Sequence, residues 1–292
     1  MKVQWVKVSD VDTRVHTWGG QSRDVVVCIH GLGGTALSFI EIAEQLRSHY
    51  HVVSITIPGS AGTPSFPNQE GYLMRSMVAW LEGVIFELGL TRFSIIGHSW
   101  GAQVGLFYLN SHGDKVEKCI LIDGGYYERA YVPNQFSSID EEIGALIESD
   151  NQYMFDSIEE YLVAERQDAG GSWSSSAELA ALDRIVKEQG KIRWHIRNSV
   201  TEWALRGIYK DEASSIYNSI RRQRLGKKLM LLQATLPANR VDRDTLAARF
   251  KAQTGGQVLK MPRCGHSMHT QAPEIVSDCI LRHLNGARIT WH

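Results

Sequence analysis

One-sided charge is the first thing this chain lacks. Its 31 Lys and Arg stand against 32 Asp and Glu, for a formal net charge of -1. That balance leaves no electrostatic footprint for nucleic acid or for an anionic membrane surface. Disulfide potential is lacking as well. The four cysteines, Cys28, Cys119, Cys264 and Cys279, are scattered without C-x-x-C spacing. Cys28 and Cys119 fall inside apolar runs, so free core thiols in a reducing compartment are expected. No stretch approaches the roughly 20 apolar residues of a membrane span. The opening "MKVQWVKVSDVDTRVHTW" alternates polar and apolar like a hairpin and holds no apolar signal core. Internal repeats and low-complexity segments are missing too, and a cytoplasmic location is the expectation.

What is present is alternation. "DVVVCIH" (24–30), "HVVSITIPG" (51–59), "FSIIGHS" (93–99) and "KCILIDGG" (118–125) are short β-rich apolar runs. Such runs mark strands buried on both faces. Between them lie segments of helical spacing, such as "ALSFIEIAEQLRS" and "MRSMVAWLEGVIFELG". From Tyr126 to Arg224 the buried β-runs give way to helical patterns: "SIEEYLVAERQ", "SAELAALDRIVKEQG" and "IRWHIRNSVTEWAL". "GGSWSSS" (170–176) reads as a flexible connection within that block. The alternation then resumes through "KKLMLLQAT", "DRDTLAARFKAQTGG", "QVLKMPRC", a loop at "HSMH", and "PEIVSDCILRHL". The pattern predicts an α/β fold with a mostly parallel central sheet and helices on both faces. Residues 1–125 and 225–292 form its core, and 126–224 a helical cap insertion. A chain of this length buries roughly 75% of its unfolded surface, enough for a large core without metal or disulfide.

Gly97-His98-Ser99-Trp100-Gly101 fits G-x-S-x-G between a strand and a helix, the setting of a nucleophile elbow. Flanking glycines allow the sharp turn, and the following helix aims its first N–H groups at a forming anion. The bland alternative is a tight turn. A serine needs a base, and His266 in "PRCGHSMH" follows the last strand at the sheet edge where Ser99 emerges. His269 is its rival. A zinc reading of the two lacks the further ligands it requires. The base needs an acid: Asp123 closes the strand next to that of Ser99, with Asp242 and Glu128 as alternatives. The backbone amides of Leu32 and Trp100 are the expected oxyanion donors, with Gly33 standing in for Leu32. "GLGGTA" also imitates a dinucleotide fingerprint. That reading fails because the next strand ends in Thr, Ile and Pro, without the acid that would hold a ribose.

Residues 126–217 hold 12 of the chain's 26 aromatics. Large rings build the core of a small cap, and they can also roof an apolar or aromatic substrate. Gly33, His98, Tyr126, Trp173, Trp194 and Trp203 are the pocket candidates.

Taken in order, "HGLGG" (30–34), "IPGSAGTP" (57–64), "GHSWG" (97–101), "LIDGG" (121–125) and "GHSMHTQAPE" (265–274) resemble the α/β-hydrolase fold family over nearly the whole chain. The resemblance implies that Ser99 attacks, His266 serves as base, and a helical cap covers the site. Two departures stand out. Ser60 and Ala61 replace a common His-Gly, and the acid expected after the "MLLQAT" strand is missing. Some members carry the acid on the strand after the elbow helix, where Asp123 lies. Relatives with an elbow aspartate are dehalogenases or epoxide hydrolases, and Ser99 argues against both. The expectation is a serine esterase or lactonase acting on a small apolar or aromatic substrate, with no cofactor and no metal. Carbon–carbon or amide cleavage by the same residues, or a ligand receptor with little turnover, are the alternatives.

Overall fold

In a computed structural model of the chain, the described residues are 1–21, 23–131, 136–169, 173–238, 242–287 and 289. The N-terminal hairpin is formed by β1 (Lys2–Val8) and β2 (Val11–Trp18). Then come β3 (Val25–Ile29), α1 (Ile40–Leu46), β4 (His51–Ile55), α2 (Met74–Glu87), β5 (Phe93–His98), α3 (Trp100–Ser111) and β6 (Val116–Ile122). The block from residue 126 to 224 contains α4 (Ile139–Gln152), β7 (Met154–Phe155), α5 (Ile158–Asp168), α6 (Ser175–Leu182), β8 (Ile185–Glu188), β9 (Lys191–Trp194), α7 (Asn198–Lys210) and α8 (Tyr217–Arg222). The chain closes with β10 (Leu229–Ala234), α9 (Asp242–Thr254), β11 (Gln257–Met261), α10 (Met268–Gln271) and α11 (Pro273–Leu284).

Eight strands form one sheet in the order β1-β2-β4-β3-β5-β6-β10-β11. The pairs from β4 to β11 are parallel, and the two N-terminal strands add antiparallel. The apolar runs are continuous because both faces are covered. Val27, Ile29, Ile95, Leu121 and Leu231 face one core with α2, α3, α8 and α9. Their neighbours Val26, Cys28, Ile96, Ile120 and Leu232 face a second core with α1 and α11. All four cysteines are free and buried. No described helix is long and apolar enough to cross a membrane.

The block between β6 and β10 differs from the all-helical expectation, because it also holds a three-stranded antiparallel sheet in the order β7-β9-β8. "SAELAALDRIVKEQG" divides into α6 and β8, and "IRWHIRNSVTEWAL" into β9 and α7. The physical cause is the Gln189-Gly190 turn, where both residues have positive φ (49° and 81°). A two-residue loop of that hand joins paired strands, here with Glu188 opposite Lys191. "HSMH", read as a loop, runs into the short helix α10. Of the 170–176 connection, 170–172 lie outside the described residues.

Among the contacts that tie this block to the rest of the fold are the following. Arg14 of β2 donates to Asp183 at 2.6 Å, and Ser174 donates to Glu41 of α1 at 2.7 Å. Helix α7 lies so close to the 72–73 backbone that a Cβ on Gly207 would stand 2.4 Å from the Tyr72 carbonyl oxygen. Gly207→Ala is therefore expected to destabilise the fold by about 1–3 kcal/mol through overpacking, read as a lower urea midpoint; an unchanged midpoint would show that α7 can slide. Around the same seam, His16, His30 and His195 are buried, and burial lowers each from 6.5 to about 4. The unfolded chain takes up these protons first, so stability must fall as pH drops from about 6.5 toward 4. A melting temperature that stays flat from pH 7 to 5 would contradict this.

Candidate active site

The site begins where four parallel strands end. The ladder runs on past the strands: the Ser99 amide donates to the Ile122 carbonyl, and the Asp123 amide to the Leu232 carbonyl, each at 2.9 Å. The Thr235 and Leu236 amides both donate to the Cys264 carbonyl. Register thus delivers residues 99, 123, 234 and the 264–266 loop to one edge, where ligands of open α/β sheets collect.

Ser99 itself has φ 52° and ψ -117°. A non-glycine residue at such an angle costs on the order of 1–3 kcal/mol and persists only when its surroundings dictate it. Here backbone crowds it from three sides. A Cβ on Gly97 would stand 2.4 Å from the Gly101 carbonyl oxygen, one on Gly101 2.2 Å from that of Ile29, and one on Gly124 2.2 Å from that of Ser99. Those glycines are the room in which the turn exists. Ser99 stays partly exposed while His98 and Trp100 on either side are buried.

Asp123 also has positive φ (41°), and its carboxylate is buried. Oδ2 accepts from His266 Nδ1 at 2.7 Å; Oδ1 accepts from the Tyr126 hydroxyl at 2.6 Å and from the Ala234 amide at 3.1 Å. A guanidinium nitrogen of Arg243 lies 3.6 Å from Oδ2. Burial alone would raise the Asp123 carboxyl, but His266, Tyr126 and the Ala234 amide outweigh it and hold the group below its ordinary value. Neither alternative acid is seen against His266: Glu128 is buried with Arg249 in a double hydrogen bond at 3.1 Å, and Asp242 is the first, buried residue of α9. Half of the His266 side chain is exposed. Its rival His269 is buried against Phe39 and His98, and burial, with His266 and Arg184 adding to it, lowers it to about 3.

The loop after β3 is held by His30. Its Nδ1–H donates to the Gly31 carbonyl at 2.7 Å, and its Nε2 accepts from the Ile57 amide at 2.9 Å. The Gly34 amide donates to the same Gly31 oxygen. In a trans peptide the next N–H points opposite to the carbonyl, so the Leu32 amide is turned away from His30. A Cβ on Gly31 would meet Ser99 Cβ at 3.0 Å, which puts this loop directly beside the serine. Gly33 follows with φ 74° and open space where a Cβ would stand.

The pocket candidates separate. His98 is buried between the elbow and the His266 loop. Its Nε2–H donates to the His266 carbonyl at 3.0 Å, and burial, with His269 and His266 nearby, holds it well below the usual histidine value, neutral. Tyr126 serves Asp123, and Trp203 packs on Tyr72 with ring centroids 5.9 Å apart. Trp173 and Trp194 do share a cavity of about 470 Å³, with Tyr153, Glu165 and Arg184 from the inserted block and Ser267 from the core. That cavity adjoins the His266 loop, but Ser99, His266 and Asp123 are not among its walls. Sequence reasoning missed the roles of His98 and Tyr126, and it missed Arg243 altogether. An arginine in a charged turn carries no signal of what it will face. Among the described residues no group of three or more His, Cys, Asp or Glu could hold a metal ion.

Residues 24–161 match the family model of the alpha/beta hydrolase fold. A human serine hydrolase-like protein is 29% identical over 106 residues, 36% of this chain and 52% of that protein. The chain thus matches about half the length of that relative, and 45% of its zebrafish (Danio rerio) namesake, which is 28% identical over 151 residues, 52% of this chain. A thioesterase domain from the curacin biosynthetic pathway superposes with a TM-score of 0.74 at 19% identity, covering 96% of this chain and 99% of its own. An E-2-(acetamidomethylene)succinate hydrolase does so with 0.75 at 15% identity, over 97% and 99%. Strand order, elbow geometry and these likenesses agree: the chain has the α/β-hydrolase fold.

Proposed function

We propose that the chain is a serine hydrolase that cleaves a small apolar or aromatic carboxylic ester or lactone through an acyl-enzyme on Ser99. The observation that carries this reading is the 2.7 Å contact of His266 Nδ1 with the buried Asp123 carboxylate, at the sheet edge where the strained Ser99 emerges. With Nδ1–H given to Asp123, the free Nε2 is the atom left to take a proton. His266 accepts the Ser99 proton as Oγ attacks the carbonyl carbon. The Leu32 and Trp100 amides receive the oxyanion, each worth ~3 kcal/mol in the transition state. Collapse expels the alcohol, which takes its proton from His266. Water then gives a proton to His266 and attacks the acyl carbon, and His266 returns that proton to Ser99 Oγ as the acyl bond breaks and the acid is released. Asp123 keeps the imidazole in the required tautomer and faces the positive charge that forms. No metal or cofactor enters any step. Four free, buried thiols support a cytoplasmic location.

Turnover of p-nitrophenyl esters from acetate to octanoate tests the reading. Ser99→Ala is expected to abolish release, and Asp123→Asn to reduce kcat ~10⁴-fold while the fold persists. Wild-type turnover in Asp123→Asn would displace the acid. If no ester is cleaved and a fluorophosphonate leaves Ser99 unlabelled, the enzyme reading falls and a receptor role takes its place. His98→Ala is expected to lower kcat more than it raises KM, because it frees the His266 backbone from the strand that ends at Ser99; equal changes in both would assign His98 to binding instead.

A further inference from the structure

The segment after β10 supplies a cation where the family resemblance leads one to look for an acid. Arg243, the second residue of α9, has a side chain only 11% exposed. One guanidinium nitrogen is anchored on the Leu236 carbonyl, and another stands 3.6 Å from Asp123 Oδ2. That is the same oxygen that accepts from His266 Nδ1. The carboxylate therefore has both oxygens occupied, Oδ1 by two neutral donors and Oδ2 by the imidazole and a fixed positive charge.

We propose that Arg243 is a positioning residue for the base: its guanidinium shares Asp123 Oδ2 with His266, so the carboxylate orients the imidazole while its pull on the imidazolium is limited. The inference rests on the reading of Ser99, His266 and Asp123 given above. A lone buried carboxylate stabilises a protonated imidazole, and a base that stays protonated near neutral pH cannot take the serine proton. An arginine beside that carboxylate opposes the second charge without removing the Nδ1 hydrogen bond. The titratable or charged groups placed against the pair include Tyr126 from the turn after β6, Arg243 from α9, His98 from β5 and His269 from α10. Burial keeps His98 and His269 neutral at working pH, while Arg243 brings a fixed positive charge. Asp242, one residue before it, is buried on the same first turn of α9.

Proton NMR titration of the His266 ring, identified by its loss in His266→Gln, tests this without any substrate. In Arg243→Gln the His266 midpoint is expected to rise by roughly one pH unit, since a like charge near the imidazolium has gone. The acid limb of kcat/KM for a p-nitrophenyl ester should move up with it. Arg243→Lys should hold the midpoint near that of wild type, because the charge remains. An unmoved or lowered midpoint in folded Arg243→Gln overturns the proposal. If Arg243→Gln does not fold, Arg243→Lys decides, and a full-unit rise there overturns it equally. Ester turnover absent from wild type would remove the functional reading instead, whatever His266 titrates like.

Discussion

The arrangement depends on one steric constraint: three strand ends and a helix start pass each other with no room for a side chain between them. Gly97, Gly101 and Gly124 each bring bare backbone within 2.6 Å of where a Cβ would stand. Their closeness forces Ser99 to φ 52° and leaves its hydroxyl at the edge of the sheet. The energy stored in that turn is supplied by the packing of β3, β5 and β6, whose apolar residues fill cores on both faces. Loosening the crossing would let the serine relax into an ordinary helix start, and nothing would then hold its side chain outward.

Around that crossing, histidine is used in two opposite ways. His30 and His98 are buried, neutral and each locked in one tautomer by a backbone partner, His30 on the Gly31 carbonyl and His98 on the His266 carbonyl. They act as rigid hydrogen-bonding spacers, one for the loop beside Ser99 and one for the loop that carries His266. His266 is half exposed, and its partner is a carboxylate. Environment alone separates them. Burial withholds the proton from the first two, while the third is hydrogen-bonded to Asp123. The same carboxylate is held by β6, the turn after it, β10 and α9, so the placement of His266 answers to the register of strands distant in sequence.

The inserted block is less regular than the sheet it covers. Its rings are divided between its own small core, where Tyr153, Phe155, Tyr161 and Trp194 meet, and contact with the sheet domain, where Trp203 packs on Tyr72. Trp173 and Trp194 sit on a cavity that touches the helix following His266. An aromatic-rich cap therefore need not mean an aromatic-lined active site. Much of that enrichment is what a small layer needs to bury itself.

The sequence by itself determined the elements whose signals are local. Continuous β-branched runs pointed to strands covered on both faces, and G-H-S-W-G between strand and helix pointed to a sharp turn at Ser99. The position of His266, just after the last strand at the sheet edge where Ser99 emerges, was legible too. The hairpin of β8 and β9 was not, because its helical spacing competes with a Gln-Gly turn signal that is short and weak. Asp123 stood among several acids until the parallel register of β5, β6 and β10 put it, and neither Asp242 nor Glu128, on His266 Nδ1. Trp203, His98 and Arg243 were decided by tertiary structure alone. Spacing along a chain reports which face of an element is buried, whereas what a buried side chain meets is set by segments more than a hundred residues away.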